Sequence, residues 1–504
     1  MSGPSPAVTG PRAWLSPSFA ALVFICLPIA VLMRPDTMLD DPGVGWHLKT
    51  GEYMLATHTI PQNDLFSFTM PGAPWTTYEW LFQVLAAWLA GIGGLPLLTA
   101  TSTLVYAALP VLLYRKMVRE NSNVALAALL AILSYVLLSA HSHARPHILT
   151  YVFFLILADR LARYDRGAIP GRSLIWFVPL TVVWTNVHGG FVVGPVLVGL
   201  YFVGTALKYA ASRAGTEMTR LRAYAALAAG MGVASLVNPA GWNLHLKILE
   251  YLSSDSLALM AEYRSPDFRS GGAAMFLFEL LILGLVLAIG VRRTSLDLTE
   301  CLILVFFLHH SLSAVRHVFL FALVAVPILA REITPALEAA PARFRQVFED
   351  IAARQKSLRS DAVYFPLISV VFLTLSLTAH SLFRTDLDGI YLSQGAARFI
   401  EMRQDQFTRV FNTSALGGAL VYRFWPDTRV FGDDRNDFYG DDFVINKYFR
   451  VLSGREDWQR ILDEYDVSSA IVLRGEVAGG LFRTSPDWDL VYHDDKNEIF
   501  TRAD

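Results

Sequence analysis

The sequence predicts a polytopic α-helical membrane protein of about eleven transmembrane helices, followed by a small C-terminal extracytoplasmic α/β domain. Three observations predict it. Of 504 residues, 54% are hydrophobic and only 17% charged, against about 25% charged in a soluble domain, and the mean hydropathy is +0.40. Apolar runs of about 18 residues, the length that crosses a hydrocarbon core, recur through the first four-fifths of the chain. The remainder changes character: residues 385–504 hold 14 Lys+Arg against 22 Asp+Glu, whereas residues 1–384 hold 28 against 22. An acidic globular tail follows a basic membrane body.

The predicted spans lie near 15–33, 95–114, 123–140, 148–164, 173–187, 190–208, 223–237, 273–291, 298–312, 315–331 and 363–383. The first apolar run, Phe19 to Met33, resembles a signal peptide, but no small-x-small cleavage site follows it, so it reads as an uncleaved first span. The segment Glu79 to Ala90 (EWLFQVLAAWLA) is too short to cross and is expected as an interfacial helix within a large first outer loop, 34–94. Cys26 and Cys301, the only cysteines, fall in spans and support neither a disulfide framework nor a thiolate metal site.

Direction follows from the basic residues, because short cytoplasmic loops are enriched in Lys and Arg. Alternate loops hold about twenty of them, including Arg115, Arg119, Arg160, Arg163, Lys208, Arg292, Arg293 and those of the 332–362 loop. The opposite set holds about seven: Arg34, Lys49, Arg145, Lys247, Arg264, Arg269 and Arg316. The basic set is assigned inside, so the N-terminus is cytoplasmic and an odd number of spans puts the tail outside. Within the tail, TRVFN, GALVYRF, SSAIVL, DLVYH and EIFTR are expected as strands, and stretches near 392–404 and 456–466 as helices. No internal repeat and no nucleic-acid signature is present.

The polar chemistry gathers on the outer side. All twelve histidines (47, 58, 141, 143, 147, 188, 245, 309, 310, 317, 380, 493) fall on outer loops, outer helix ends or the tail. The first outer loop opens with Asp40-Asp41, a carboxylate pair able to act as general base, metal ligand or both, or to serve only as a solvated turn. Trp46, His47, Lys49, Asp64, Trp75, Glu79 and Trp80 share that segment. In HSHARPHIL (141–149), Arg145 and His147 stand beside a helix start, where orphan N–H groups favour an anion; anchoring at the interface is the plainer reading. His188 in WTNVHGG, Asn238 in NPAGW, Glu262, and the pairs His309-His310 and Arg316-His317 sit at other outer helix ends. In the tail, FGDDRNDFY (431–439) sets Asp434 and Arg435 in a carboxylate-rich loop, as a cap, an acceptor site or a polar strand end.

These residues resemble the bacterial GT-C superfamily of membrane glycosyltransferases, of the type that depends on a polyprenyl-phosphate sugar. The resemblance covers nearly the whole chain and rests on DDPGVGWHLKTGEYML, IPQNDLFSFT, PWTTYEWL, ARPHIL, WTNVHGG, NPAGW and FGDDRNDFYG. The usual GT-C pair is Asp-Glu or Glu-x-Asp, where this chain has Asp-Asp. The resemblance implies an inverting transfer of a sugar from a polyprenyl-phosphate donor to a glycan, lipid or protein acceptor on the periplasmic face of a bacterial inner membrane. It implies Asp40 or Asp41 as base, with a divalent ion (Mg or Mn) on that pair if any is used. Arg145, His147, Arg316 and His317 would stabilise the leaving phosphate. Trp46, His47, Lys49, Glu79, Trp80, His188, Asn238, Glu262, Asp434 and Arg435 would bind sugar or acceptor. Three rival readings stay open: an oligosaccharide ligase or polymerase on the same scaffold, a transporter or flippase for lipid-linked glycans, and a non-catalytic assembly partner.

Overall fold

The computed structural model describes residues 10–138, 141–292 and 296–503. Arg293 and the end of the 123–140 run lie outside the described residues. Each of the eleven apolar runs falls on a helix: Phe19–Met33, Trp80–Arg119, Val124–Leu138, His147–Asp165, Phe177–Val187, Val193–Ser212, Gly215–Ala234, Gly272–Arg292, Leu298–Ser313, Val318–Glu338 and Asp361–Thr378. Among the described residues, six helices are long and apolar enough to cross a membrane by length and composition. Val318–Glu338 is buried along most of its length and packs against Gly272–Arg292, Leu298–Ser313 and Val124–Leu138. It is the axis of the bundle.

Trp80–Arg119 is broken at Gly93 and Gly94, where Gly94 takes φ +67° and ψ −171°, a region that is essentially glycine's alone. The break separates the EWLFQVLAAWLA segment from the longer apolar run, as its short length required. The 332–362 segment, expected as a loop, is largely helical. Val318–Glu338 continues into it and Ala342–Ser357 adds a further helix, whose Phe344, Val347, Phe348 and Ile351 recur at helical spacing.

The tail is a five-stranded sheet in the order β2-β1-β3-β5-β4: β1 Arg409–Asn412, β2 Arg429–Val430, β3 Ser469–Leu473, β4 Trp488–His493 and β5 Asn497–Arg502. β1 lies parallel to β2 and β3, and β5 runs antiparallel to β3 and β4. GALVYRF, expected as a strand, is the crossover helix Ser414–Phe424. Leu416, Leu420, Val421 and Phe424 are buried on it, a helical period that short β-branched runs mimic, and two parallel strands need such a crossover.

The first loop belongs to the tail as much as to the bundle. The N–H of Phe68 donates to the Val430 carbonyl and that of Val430 to the Phe66 carbonyl, each at 3.2 Å. The loop thereby covers the β2 edge, which would otherwise expose a row of unpaired backbone groups. Trp46, Phe66 and Trp75 join the hydrophobic core of the tail. The Gly43–Thr57 helix crosses the Ser414–Phe424 helix at two glycines: a Cβ on Gly45 would stand 2.1 Å from the Gly418 carbonyl oxygen, and one on Gly418 would stand 1.8 Å from that of Pro42.

Candidate functional site

A cavity of about 500 Å³ lies where the first loop, the tail and one end of the bundle meet, in the usual size range for small-molecule sites. It is lined among others by Asp41, Trp46, Glu79, Arg145, His188, Glu262, Arg316, Asp434 and Arg435. A cleft of about 160 Å³ adjoins it, sharing Tyr78, His188, Tyr251 and Arg316, and is lined by His147, His317, Val192, Ile248 and Leu320. The polar chamber thus gives onto a more apolar slot between helices.

Asp41 precedes the Gly43–Thr57 helix and its Oδ1 accepts the Gly43 N–H at 2.8 Å. Arg145, just ahead of the His147–Asp165 helix, bridges the two ends of the chain: its Nη1 lies 3.1 Å from Asp41 Oδ1 and 3.4 Å from Asp434 Oδ2. His143 Nδ1 stands 3.5 Å from Asp41 Oδ2, and the indole of Trp46 donates to Asp434 Oδ1 at 2.6 Å. Gly43 leaves room for this junction, since a Cβ there would lie 2.9 Å from both Arg145 Cζ and Asp434 Oδ2. Burial works to raise the Asp41 carboxyl, but Arg145, His143 and the Gly43 N–H hold it below its usual value. Asp434 is pushed the other way, to about 7, by burial and by the nearby Asp41 and Asp433. The Arg145 charge is secured by the same carboxylates against its own burial.

Glu79 occupies another corner of the cavity. His47 Nε2 lies 3.7 Å from its Oε2 and His188 Nε2 lies 3.8 Å from its Oε1. The Gly190 N–H donates to His188 Nδ1 at 3.1 Å, and Thr150 Oγ1 is 2.8 Å away. Because Nδ1 accepts, the neutral ring carries its proton on Nε2, toward Glu79. The Gln83 amide nitrogen lies 3.3 Å from His47 Nδ1, so the same assignment follows there. Burial depresses both imidazoles below their ordinary value and keeps them neutral. It raises Glu79 to about 8, with Asp437 and Asp434 adding to the shift and Arg145 and Arg316 opposing it. The Arg316 guanidinium pairs with Glu262 at 3.0 Å and lies over the Tyr263 ring.

Other expected residues stand elsewhere. Asp40 is exposed and does not line the cavity. Lys49 pairs with Glu52 at 2.8 Å. The Trp80 indole donates to Asn186 Oδ1 at 2.6 Å. Asn238 is absorbed by its own turn, donating to the Ser235 and Gly241 carbonyls. His147 and His317 line the cleft and not the chamber. Arg435 reaches the chamber wall but is 1% exposed, held by Asp64 at 2.8 Å and Asp433 at 2.7 Å and stacked on Trp75. Its main duty is to join loop to tail.

The structure adds Gln83, Tyr251, Asp437 and Tyr448 to the lining. Gln83 was legible as the residue one turn after Glu79, whereas Tyr251 gave no signal in its own segment. Among the described residues no group of three or more His, Cys, Asp or Glu is placed to hold a metal ion. The Asp40-Asp41 pair does not fit a divalent ion as it stands: Asp41 Oδ1 is taken by Arg145 and the Gly43 N–H, and Asp40 lies outside the chamber.

No family model and no curated protein matches the sequence. Solved structures do. The Archaeoglobus fulgidus oligosaccharyltransferase tethered to an acceptor peptide superposes with a TM-score of 0.54 at 12% identity, over 92% of this chain and 70% of that one. The same archaeal enzyme, AglB, with an inhibitory peptide and a dolichol-phosphate gives 0.52 at 12% identity, over 90% and 69%. ArnT from Cupriavidus metallidurans bound to undecaprenyl phosphate gives 0.46 at 13% identity, over 97% and 98%. At 12% identity the likeness carries the architecture alone: the chain shares the fold of this archaeal oligosaccharyltransferase.

Proposed function

We propose that this protein is an inverting membrane glycosyltransferase that moves a sugar from a polyprenyl-phosphate donor to an acceptor hydroxyl. The observation that carries the reading is one chamber holding Arg145 and Arg316 beside the carboxylates Asp41, Glu79 and Asp434, with an apolar cleft leading from it. The dolichol-phosphate in the AglB complex supports a lipid phosphate as donor.

In the transfer, the two guanidiniums face the phosphate as it departs, fixed before the reaction by their carboxylate partners, the preorganisation that makes such charge effective. A carboxylate supplied by the first loop takes the acceptor proton, a step worth about 10²–10⁴-fold. Trp46 and Tyr251 line the part of the chamber that would receive a sugar ring, and the cleft takes the start of the isoprenoid tail. We place the chamber on the periplasmic side of a bacterial inner membrane, with eleven crossings and the N-terminus in the cytoplasm, on the strength of the basic loops.

The test is transfer of labelled sugar from undecaprenyl-phosphate donors, one bearing a single hexose and one an oligosaccharide, in proteoliposomes. The reading expects Arg145→Ala to cut transfer by at least about 100-fold, the size of effect typical of losing a preorganised donor. Transfer by the variant at the wild-type rate would remove the phosphate role. A donor preference decides between single-sugar and oligosaccharide transfer.

A further inference from the structure

Four of the carboxylates that line the chamber already have partners. Asp41 and Asp434 share Arg145, Glu262 pairs with Arg316, and Asp437 interacts with Tyr78. Glu79 is ion-paired with neither arginine. Each of its oxygens instead faces one neutral imidazole, supplied by two separate elements: His47 from the Gly43–Thr57 helix and His188 from the end of Phe177–Val187. The separations, 3.7 and 3.8 Å, are too long for direct hydrogen bonds, so His47 Nε2 is buried without a partner, as is Gln83 Oε1. His47 itself is 1% exposed. A buried polar corner with orphaned atoms is one that a hydroxyl-bearing ligand completes.

We propose that Glu79, and not an aspartate of the Asp40-Asp41 pair, is the group that takes the proton from the acceptor hydroxyl, with His47 and His188 presenting their N–H groups to its two oxygens. This rests on the glycosyl-transfer reading above. In the step, the acceptor O–H proton passes to a Glu79 oxygen and the acceptor oxygen forms its bond to the anomeric carbon. The bond from that carbon to the phosphate oxygen breaks, and its electron pair leaves on the phosphate beside Arg145 and Arg316.

Geometry separates the roles. Asp41, held below its usual value by Arg145, His143 and the Gly43 N–H, has lost the affinity for a proton that a base needs and is better suited to hold Arg145 for the phosphate. Glu79 has the opposite setting, and its elevated proton affinity places it nearer the working pH, where a general base is most effective. The charged and titratable groups around it are His47, His188, Tyr78, Arg145, Arg316, Asp434 and Asp437.

The experiment treats the full-length protein in nanodiscs with dicyclohexylcarbodiimide, which adds to protonated buried carboxyls, and reads the adducts by peptide mass spectrometry across a pH series, with and without undecaprenyl phosphate. Glu79 is expected to label at neutral pH, to lose label as pH rises through about 8, and to be protected by the lipid phosphate. In parallel, Glu79→Gln is expected to bind undecaprenyl phosphate as the wild type does while transferring sugar about 100-fold more slowly or worse. Glu79→Asp should recover part of that loss, and the rise of wild-type rate with pH should be absent in Glu79→Gln. Wild-type transfer by Glu79→Gln, or adducts on Asp41 with none on Glu79, overturns the proposal. Normal labelling of Glu79 with no binding of, or protection by, undecaprenyl phosphate overturns the donor reading instead, so the two failures are distinct.

Discussion

Arg145 ties a carboxylate at the start of the chain, Asp41, to one near its end, Asp434, so the charge balance of the chamber is a property of the assembled molecule. Two of its acids are held protonated in the fold at pH values where the unfolded chain ionises them: Glu79 up to about 8 and Asp434 up to about 7. Between their ordinary values and these, the folded state binds more protons than the unfolded one, so their contribution to stability is complete at low pH and is lost as pH rises. The part of the thermal stability that these two acids set is therefore expected to fall from about pH 5 to 8, against the opposite slope of the buried neutral His47 and His188, so Glu79→Gln with Asp434→Asn should gain stability relative to the wild type toward pH 8. A double variant with the wild-type slope would show that other groups set it. Arg435 has a different burden. With Asp64 and Asp433 it forms a fully buried ion cluster, and removing one member leaves an uncompensated charge, which costs about 3–5 kcal/mol. Asp64→Asn should lower the melting temperature strongly, whereas Lys49→Ala, on a half-exposed pair, should shift it little. Of the residues singled out in the sequence, Asp41, Glu79, Arg145, His188, Glu262, Arg316 and Asp434 line the chamber. The sequence could not tell which of two neighbours turns inward, and so gave Asp40 equal weight with Asp41. Nor could it foresee that Asn238 would be absorbed by its own turn.

The elements that matter most to the site are joined at glycines. Gly45 and Gly418 let the Gly43–Thr57 helix lie against the Ser414–Phe424 helix at backbone distance, and Gly51 faces the Gln83 carbonyl, 2.0 Å from where its Cβ would be. One short helix thus docks the tail through one glycine and the Trp80–Arg119 helix through another. An alanine at Gly45 or Gly418 meets carbonyl oxygen and not a flexible side chain, so the helices must separate. Overpacking of this kind costs about 1–3 kcal/mol. Gly45→Ala is expected to lower the temperature of first unfolding and to quicken protease cleavage of the tail, while Gly480→Ala, on an exposed helix position of the tail with no neighbour within 4 Å, should not open the junction. Equal proteolysis of both variants would refute the close-packing account. Hydropathy and helical period made the long helices legible in advance, down to the break that follows the EWLFQVLAAWLA segment. They misread GALVYRF, because a seven-residue apolar run between two parallel strands has the same composition as either element. Only the strand pairing on both sides settles it.

At the scale of the whole molecule, the first loop is part of the tail's fold as well as the roof of the chamber. Phe66, Trp46 and Trp75 fill the tail's core and Phe66 to Phe68 close the β2 edge, although more than 300 residues separate them in the chain. That long-range pairing is invisible to local pattern, and it is why the chamber could be assigned to an end of the bundle from sequence but not given its walls. It also ties the chamber to assembly, since Trp46 and Asp434, which meet across this interface, both line the cavity. A fragment of residues 385–504 alone would expose an unpaired edge strand and an apolar face, the combination that drives association. It is expected to elute as aggregates and to melt without cooperativity. Residues 34–78 joined through a flexible linker to 385–504 should restore a monomer with a cooperative transition, and Asp64→Asn in that fusion should weaken it again. Size-exclusion chromatography with thermal melting reads all three proteins. A cooperative, monomeric 385–504 fragment would show that the tail folds independently and that the loop only rests on it.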